Sequence, residues 1–140
     1  MKKTNNKGFS LIELIIVIAI MAVLVAIIAP NLTKYLGSSK SSADKKNLDE
    51  IQSTLNTCIT DYEMSNSTLI ADGAGDTVVL TWSASGSAIT GGNATFKALV
   101  DSAIDATKCQ SKENTAKWAK ATIKKNSTTN SYEIEVVFPS

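Results

Sequence analysis

The stretch Lys7-Gly8-Phe9-Ser10-Leu11-Ile12-Glu13-Leu14, which runs on through aliphatic residues to Pro30-Asn31-Leu32, decides how the rest of the chain is read. Of the 21 residues 9–29, 19 are apolar, and the two exceptions are Ser10 and Glu13. Residues 14–32 form 19 consecutive uncharged positions. As an α-helix they would cover ~28 Å, close to the hydrocarbon thickness of a bilayer. Three Lys and no acid precede the run in residues 1–7, a positive-inside pattern that holds the amino end in the cytoplasm. An ordinary secretory leader has a shorter apolar region of about 7–15 residues without charge, so the segment reads as an anchor.

Glu13 is the informative position. A carboxylate within an apolar helix costs ~2.5–3.5 kcal/mol at the bilayer centre, and less near the interface. No Lys or Arg lies within helical reach on its apolar side. Either the group is hydrated at headgroup level, or a positive charge is supplied from elsewhere.

Composition narrows the function classes. The 140 residues are 44% apolar and 6% aromatic, enough for one domain plus an anchor. The chain has no His, which removes the usual general base, the Ser-His and Cys-His pairs and the commonest metal ligand, so no catalytic role is expected. Two Cys without His make at best half a zinc site, and no metal or cofactor is expected. All 14 basic residues are Lys and the formal net charge is +1; without Arg a nucleic-acid-binding domain is disfavoured. The Lys at positions 117, 120, 124 and 125 leave weak contact with DNA open, although a solvated strand face explains them better. Gly73-Ala74-Gly75 and Gly91-Gly92 lack the strand and helix context and the Lys of a phosphate cradle, and read as turns.

The run Lys7-Gly8-Phe9-Ser10-Leu11-Ile12-Glu13-Leu14, with the aliphatic residues and Pro30 after it, resembles the leader and anchor of type IV pilins and pseudopilins. The resemblance covers roughly the first 32 residues. It implies that a prepilin peptidase cuts after Gly8 and that the new terminus at Phe9 is methylated. It also implies that Glu13 docks a subunit against the terminus of its neighbour. Cleavage would leave an amino group with an ordinary pKa of ~7.7–8, largely cationic and able to pair with a carboxylate. Phe9 and Glu13 stand at i and i+4, so the pair can close within one helix or between staggered helices, where it would set register. Loss of residues 1–8 would leave 11 Lys against 13 acids.

Pro30 lacks an N–H and is expected to loosen or kink the helix over residues 26–29. A second, amphipathic stripe follows at Leu48, Ile51, Leu55, Cys58, Ile59 and Tyr62. Between the two lies Gly37-Ser38-Ser39-Lys40-Ser41-Ser42, poor in helix formers, with Ser41 and Asp44 spaced like a weak capping box. A continuous but weakened helix is the favoured reading, and a hinge over residues 37–42 the alternative.

After Met64 the composition turns to Ser, Thr, Gly, Asn and Asp. Residues 65–76 read as a loop, 77–82 as a strand, 83–93 as an outward loop, and 94–108 as a helix capped by Asn93. Residues 118–125 and 132–139 read as a hairpin around 126–131. The expected fold is α+β, a pilin-like long N-terminal helix whose second half packs on a small antiparallel sheet with a second helix. Its divisions are a leader (1–8), an assembly helix (9–32), and the amphipathic half-helix with its head (33–140).

Cys58 lies on the core stripe and Cys109 follows the second helix. Outside the cell a Cys58–Cys109 disulfide could pin the two helices together and add ~2–4 kcal/mol; two buried thiols are the alternative.

These readings converge on a structural subunit of a bacterial type IV pilus. The precursor would sit as a single-pass protein in the cytoplasmic (inner) membrane and later join an extracellular filament that serves adhesion, motility or DNA uptake. Its expected partners are copies of itself, the prepilin peptidase, the pilus assembly machinery and the membrane. A pseudopilin of a type II secretion or competence system, and an uncut membrane-anchored binding module, are the alternatives.

Overall fold

The computed structural model describes residues 9–65, 69–70, 77–126 and 128–139. The chain divides into two compact units, Met1–Ser39 and Lys40–Ser140. A single helix, α1, runs Leu11–Ser65. Neither Pro30 nor the Gly- and Ser-rich stretch ends it, so the continuous reading holds and no helix restarts at Ser41. Intrinsic propensity is a weak determinant that the helical flanks outweigh. Gly37 has open space where a side chain would stand, so packing does not require glycine there.

In the second unit α1 is two-faced. Ile51, Leu55, Cys58, Ile59 and Tyr62 are buried. On the wet face Thr54, Asn56, Thr57 and Thr60 each donate a side-chain hydrogen bond to the carbonyl four residues back, a way for short polar groups to stay within a helix.

The sheet contains β1 (Thr77–Ser83), β2 (Gly86–Thr90), β3 (Lys120–Asn126) and β4 (Ser131–Val137). Its order is β2-β1-β3-β4, with every neighbouring pair antiparallel. Alternation sends Val78, Leu80, Trp82, Ala121, Ile123, Ile134 and Val136 into the core with the α1 stripe. Between β2 and β3 come α2 (Ala94–Ala103) and a 3-10 turn, Ala106–Cys109. Phe96 and Val100 of α2 are fully buried, and the Phe96 ring meets Tyr62 edge-on with centroids 5.6 Å apart. Asn93 caps α2 as expected, its Oδ1 accepting from the Phe96 N–H at 2.8 Å. Its amide also donates to the Tyr62 hydroxyl.

Three expectations are corrected. Residues 83–93 are not one outward loop, because residues 86–90 form β2, joined to β1 by a tight turn in which Ser83 pairs with Gly86. The helix expected over 94–108 stops at Ala103: Ile104 takes an extended conformation, and Asp105 then caps the 3-10 turn by accepting from the Thr107 N–H. Within the 65–76 stretch, Leu69 and Ile70 are core residues; most of its remainder lies outside the described residues. Gly91 is a required glycine. Its φ is +79°, and a Cβ would stand 2.4 Å from the Thr77 carbonyl oxygen.

Truncation of Phe96, which is fully buried, is expected to lower the unfolding free energy by ~3–5 kcal/mol. Val137→Ala on the wet side of β4 should change it by less than about 1 kcal/mol. Urea denaturation of both variants measures the contrast.

Candidate functional site

The first unit presents an apolar helix surface to solvent. Every residue in 9–39 is exposed, among them Phe9 at 88%, Val25 at 62% and Ile28 at 57%. Such continuous apolar exposure far exceeds what a soluble monomer leaves bare and marks a surface that something else covers. The helix is long and apolar enough to cross a membrane by length and composition. Ile16, Ala19, Ile20, Val23 and Leu24 line an open, almost wholly apolar groove along it.

Glu13 sits in the first turn of α1. The Ser10 backbone N–H donates to its carboxylate at 2.9 Å. The Glu13 and Leu14 amides in turn donate to the Ser10 carbonyl, at 3.1 and 3.3 Å. Ser10 therefore occupies the cap position, and Glu13, three residues on, reaches back to it as the acidic member of a capping box. The positive end of the helix dipole also favours a carboxylate there. The Ser-x-x-Glu signature of residues 10–13 was present in the sequence, hidden by the apolar run around it. Phe9 adjoins this cap. Gly8, the expected cleavage position, lies outside the described residues.

Pro30 stands inside α1. Around it, the Asn31 side-chain amide donates to the Ile27 carbonyl at 3.4 Å and the Thr33 hydroxyl to the Pro30 carbonyl at 3.0 Å. Proline removes one ladder donor, and these side chains supply extra polar contacts where the ladder is weakest.

A second constellation lies where α1 enters the second unit. Asp44 is buried, with 7% of its surface exposed. Its carboxylate accepts from the Ser111 hydroxyl at 2.5 Å and from the backbone N–H groups of Lys112 and Glu113 at 2.5 and 3.2 Å. Burial pushes its pKa up, but these hydrogen bonds and the Lys112 charge outweigh it, so the carboxyl titrates below its ordinary value. Asp44 is thus a tie between α1 and the loop before Trp118, not the third position of a capping box. Its place four residues before Leu48 on the buried stripe was the signal available in the sequence.

The Cys58–Cys109 bridge is not formed. Both cysteines are buried free thiols, and the Cys109 thiol donates to the Asp105 carbonyl at 3.7 Å. The segment bearing Cys109 runs beside an earlier part of α1, with Lys108 against Glu50 and residues 111–113 on Asp44. Cys58 lies eight residues beyond Glu50, ~12 Å further along the axis, well past disulfide reach. Burial pushes the Cys109 thiol up to about 12, with the Asp105 charge adding to it. Burial also raises Cys58, with a smaller contribution from Asp61.

Lys120 and Lys124 occupy the outer face of β3, where the register places Glu133 directly opposite Lys124. This face mixes both signs rather than forming the one-signed surface that suits a polyanion. Among the described residues no group of three or more His, Cys, Asp or Glu could hold a metal ion.

Comparison with known proteins places the resemblance in the first unit. Residues 3–29 match the family model described as the prokaryotic N-terminal methylation motif. The chain is 36% identical over 66 residues to the prepilin peptidase-dependent protein A of Clostridium perfringens (strain 13 / Type A), covering 47% of each chain. Over 44 residues it is 54% identical to the type IV major pilin protein PilA of Myxococcus xanthus (strain DK1622), covering 31% of this chain and 20% of that one. It is 37% identical over 59 residues to the type IV major fimbrial protein FimA of Dichelobacter nodosus, covering 42% and 38%. The chain thus spans less than half the length of these relatives. No solved structure matches it significantly.

Two outcomes follow from the second unit. Asp44→Asn should cost ~1–3 kcal/mol at neutral pH. Because the folded pKa of Asp44 is depressed, its stabilisation is present above the ordinary carboxylate value of ~3.9 and is lost as pH falls through the lower folded value. The gap between wild type and variant should therefore shrink below about pH 4 in parallel urea titrations. Without reductant, iodoacetamide should modify neither thiol of the native protein and both after denaturation, as read by mass spectrometry. A denatured chain that takes up no label would show that the bridge exists.

Proposed function

We propose that this chain, which carries the N-terminal segment of type IV pilins, is a filament subunit: inserted in the membrane, cut after Gly8, methylated at Phe9 and polymerised through its apolar helix. The observation that carries this reading is the coincidence of the methylation motif over residues 3–29 with a helix surface exposed throughout residues 9–39. Lipid covers that surface before assembly and neighbouring copies cover it afterwards, so polymerisation exchanges one dry environment for another.

Glu13 has a role in both states. In the single subunit its charge is held by the Ser10 N–H at the helix start, which lowers the cost of keeping a carboxylate at the edge of the bilayer. Cleavage would place a cationic amine at Phe9, one residue before that N–H. The carboxylate then has two donors to share, its own and one from a staggered neighbour, and the shared position fixes the register. Pro30 would ease adjustment of the helix as it moves from lipid into the filament. The prepilin peptidase and the pilus assembly machinery are the partners this route requires. Adhesion, motility or DNA uptake would be the filament's task. The named major pilins among the relatives favour a pilus over a secretion pseudopilin, which would share the same anchor.

Amino-terminal sequencing of the protein from its own cells should read methylated Phe9 first; an intact residue 1–8 segment would remove the pilin reading in favour of an uncut anchor. Glu13→Ala should leave membrane insertion intact and reduce surface fibres at least about tenfold, the effect of losing ~1.4 kcal/mol of register energy per added subunit. Normal fibre yield from this variant as the sole copy would contradict the role given to Glu13. Loss of protein export without any fibres in a deletion strain would favour the pseudopilin.

A further inference from the structure

The Asp44 tie brings together lysines that are far apart in the sequence. Lys40, Lys45 and Lys46 lie on the first turns of α1 within the second unit, and all three are exposed. The hydrogen bonds from residues 111–113 to Asp44 set Lys112 and the loop to Lys117 beside them. Lys45 and Lys117 line one open groove together with Leu48, Glu113 and Phe138. Two acids belong to this end. Asp44 is consumed by its three donors, and Glu113 alone stands free to offset the five ammonium groups. The nearest further acid on that side, Glu50, is paired with Lys108.

The place of this cluster in the chain identifies what it faces. Lys40 follows the last exposed large apolar side chain of the run, Leu36, by four residues of α1. Lysines within about 15–20 residues of the outer end of a membrane segment work against the positive-inside bias that orients it. Their presence there opposes insertion and asks for a compensating gain. A phosphate-bearing lipid surface supplies it, at ~1 kcal/mol per lysine near an anionic leaflet and with a reach of about a Debye length, ~8 Å at physiological salt.

We propose that Lys40, Lys45, Lys46, Lys112 and Lys117 form a basic collar that binds the phosphate groups of anionic lipids on the outer leaflet while the subunit waits in the membrane. This rests on the membrane-inserted reading above. The collar holds the second unit down on the bilayer by charge, and the Asp44 tie is what adds Lys112 and Lys117 to it. Extraction into a filament then requires these contacts to be released together, which makes departure from the membrane dependent on salt and on lipid charge.

The test uses the full chain reconstituted into vesicles of phosphatidylcholine alone or with added phosphatidylglycerol. Site-by-site acetylation of lysines is followed by mass spectrometry, after flotation has separated vesicle-bound chain. Lys45, Lys46, Lys112 and Lys117 should react about fivefold more slowly in the anionic vesicles, with the difference abolished near 1 M salt. Lys120 and Lys124 on the sheet's outer face should react alike in both. Lys45→Gln with Lys46→Gln should reduce the protection of Lys117, while Asp44→Asn should reduce that of Lys112 and Lys117 and spare Lys45. Equal acetylation in the two lipids by chain that floats with both overturns the collar and leaves the anchor reading intact. Protection that is equal in both lipids but rises with protein density assigns the patch to a second copy and also overturns it. Chain that floats with neither vesicle refutes the membrane-inserted reading itself.

Discussion

An apolar helix surface that the chain leaves uncovered is the constraint on which the other features depend. The residues of 9–39 are all exposed, and a surface of that length cannot remain in water without association. A covering environment is therefore part of what the sequence specifies. Lipid and the same surface on another copy are both apolar and continuous, and both can meet that demand. The polar elements near the segment have the task of making an apolar helix start, bend and stop within such surroundings.

Two carboxylates at the two ends of this region are handled by the same physical means. Glu13 accepts a backbone N–H from Ser10 at the helix start. Asp44 accepts two backbone N–H groups and a hydroxyl where α1 enters the second unit. In each case a charge that would be costly in an apolar or buried setting is stabilised by donors held at fixed positions. Their consequences differ. Glu13 leaves room for another cation to approach, whereas Asp44 is saturated and acts as a structural tie. That tie, the Tyr62–Phe96 contact and the Asn93 cap all join α1 to sequence-distant parts of the second unit, and they do so without a disulfide.

Periodicity made much of this legible. The alternation of Ile134 and Val136 with Glu133 and Glu135 places β4 and its buried face, and the stripe from Leu48 to Tyr62 places the core side of α1. Asn93 announces α2 by its position before an apolar period. What escaped depends on contacts between distant residues or on short polar segments. Residues 86–90 carry too few apolar side chains to declare a strand, and become one because β1 offers an edge. The break at Ile104 follows from the Asp105 cap of the 3-10 turn rather than from any glycine or proline. The Cys58–Cys109 pairing was plausible from residue type alone, but it fails on axial register, which spacing along the chain does not contain. In the first unit the capping box at residues 10–13 was readable, and the surrounding hydrophobicity drew attention away from it.

The measurement that bears most directly on the central claim is electron cryomicroscopy of fibres sheared from cells that make this protein, at a resolution that traces side chains. The account predicts a filament whose core is built from the helices of residues 9–36 of successive copies, each Glu13 within hydrogen-bonding distance of a Phe9 amine. Fibres whose core lacks these helices, or in which Glu13 faces only lipid or solvent, would contradict it.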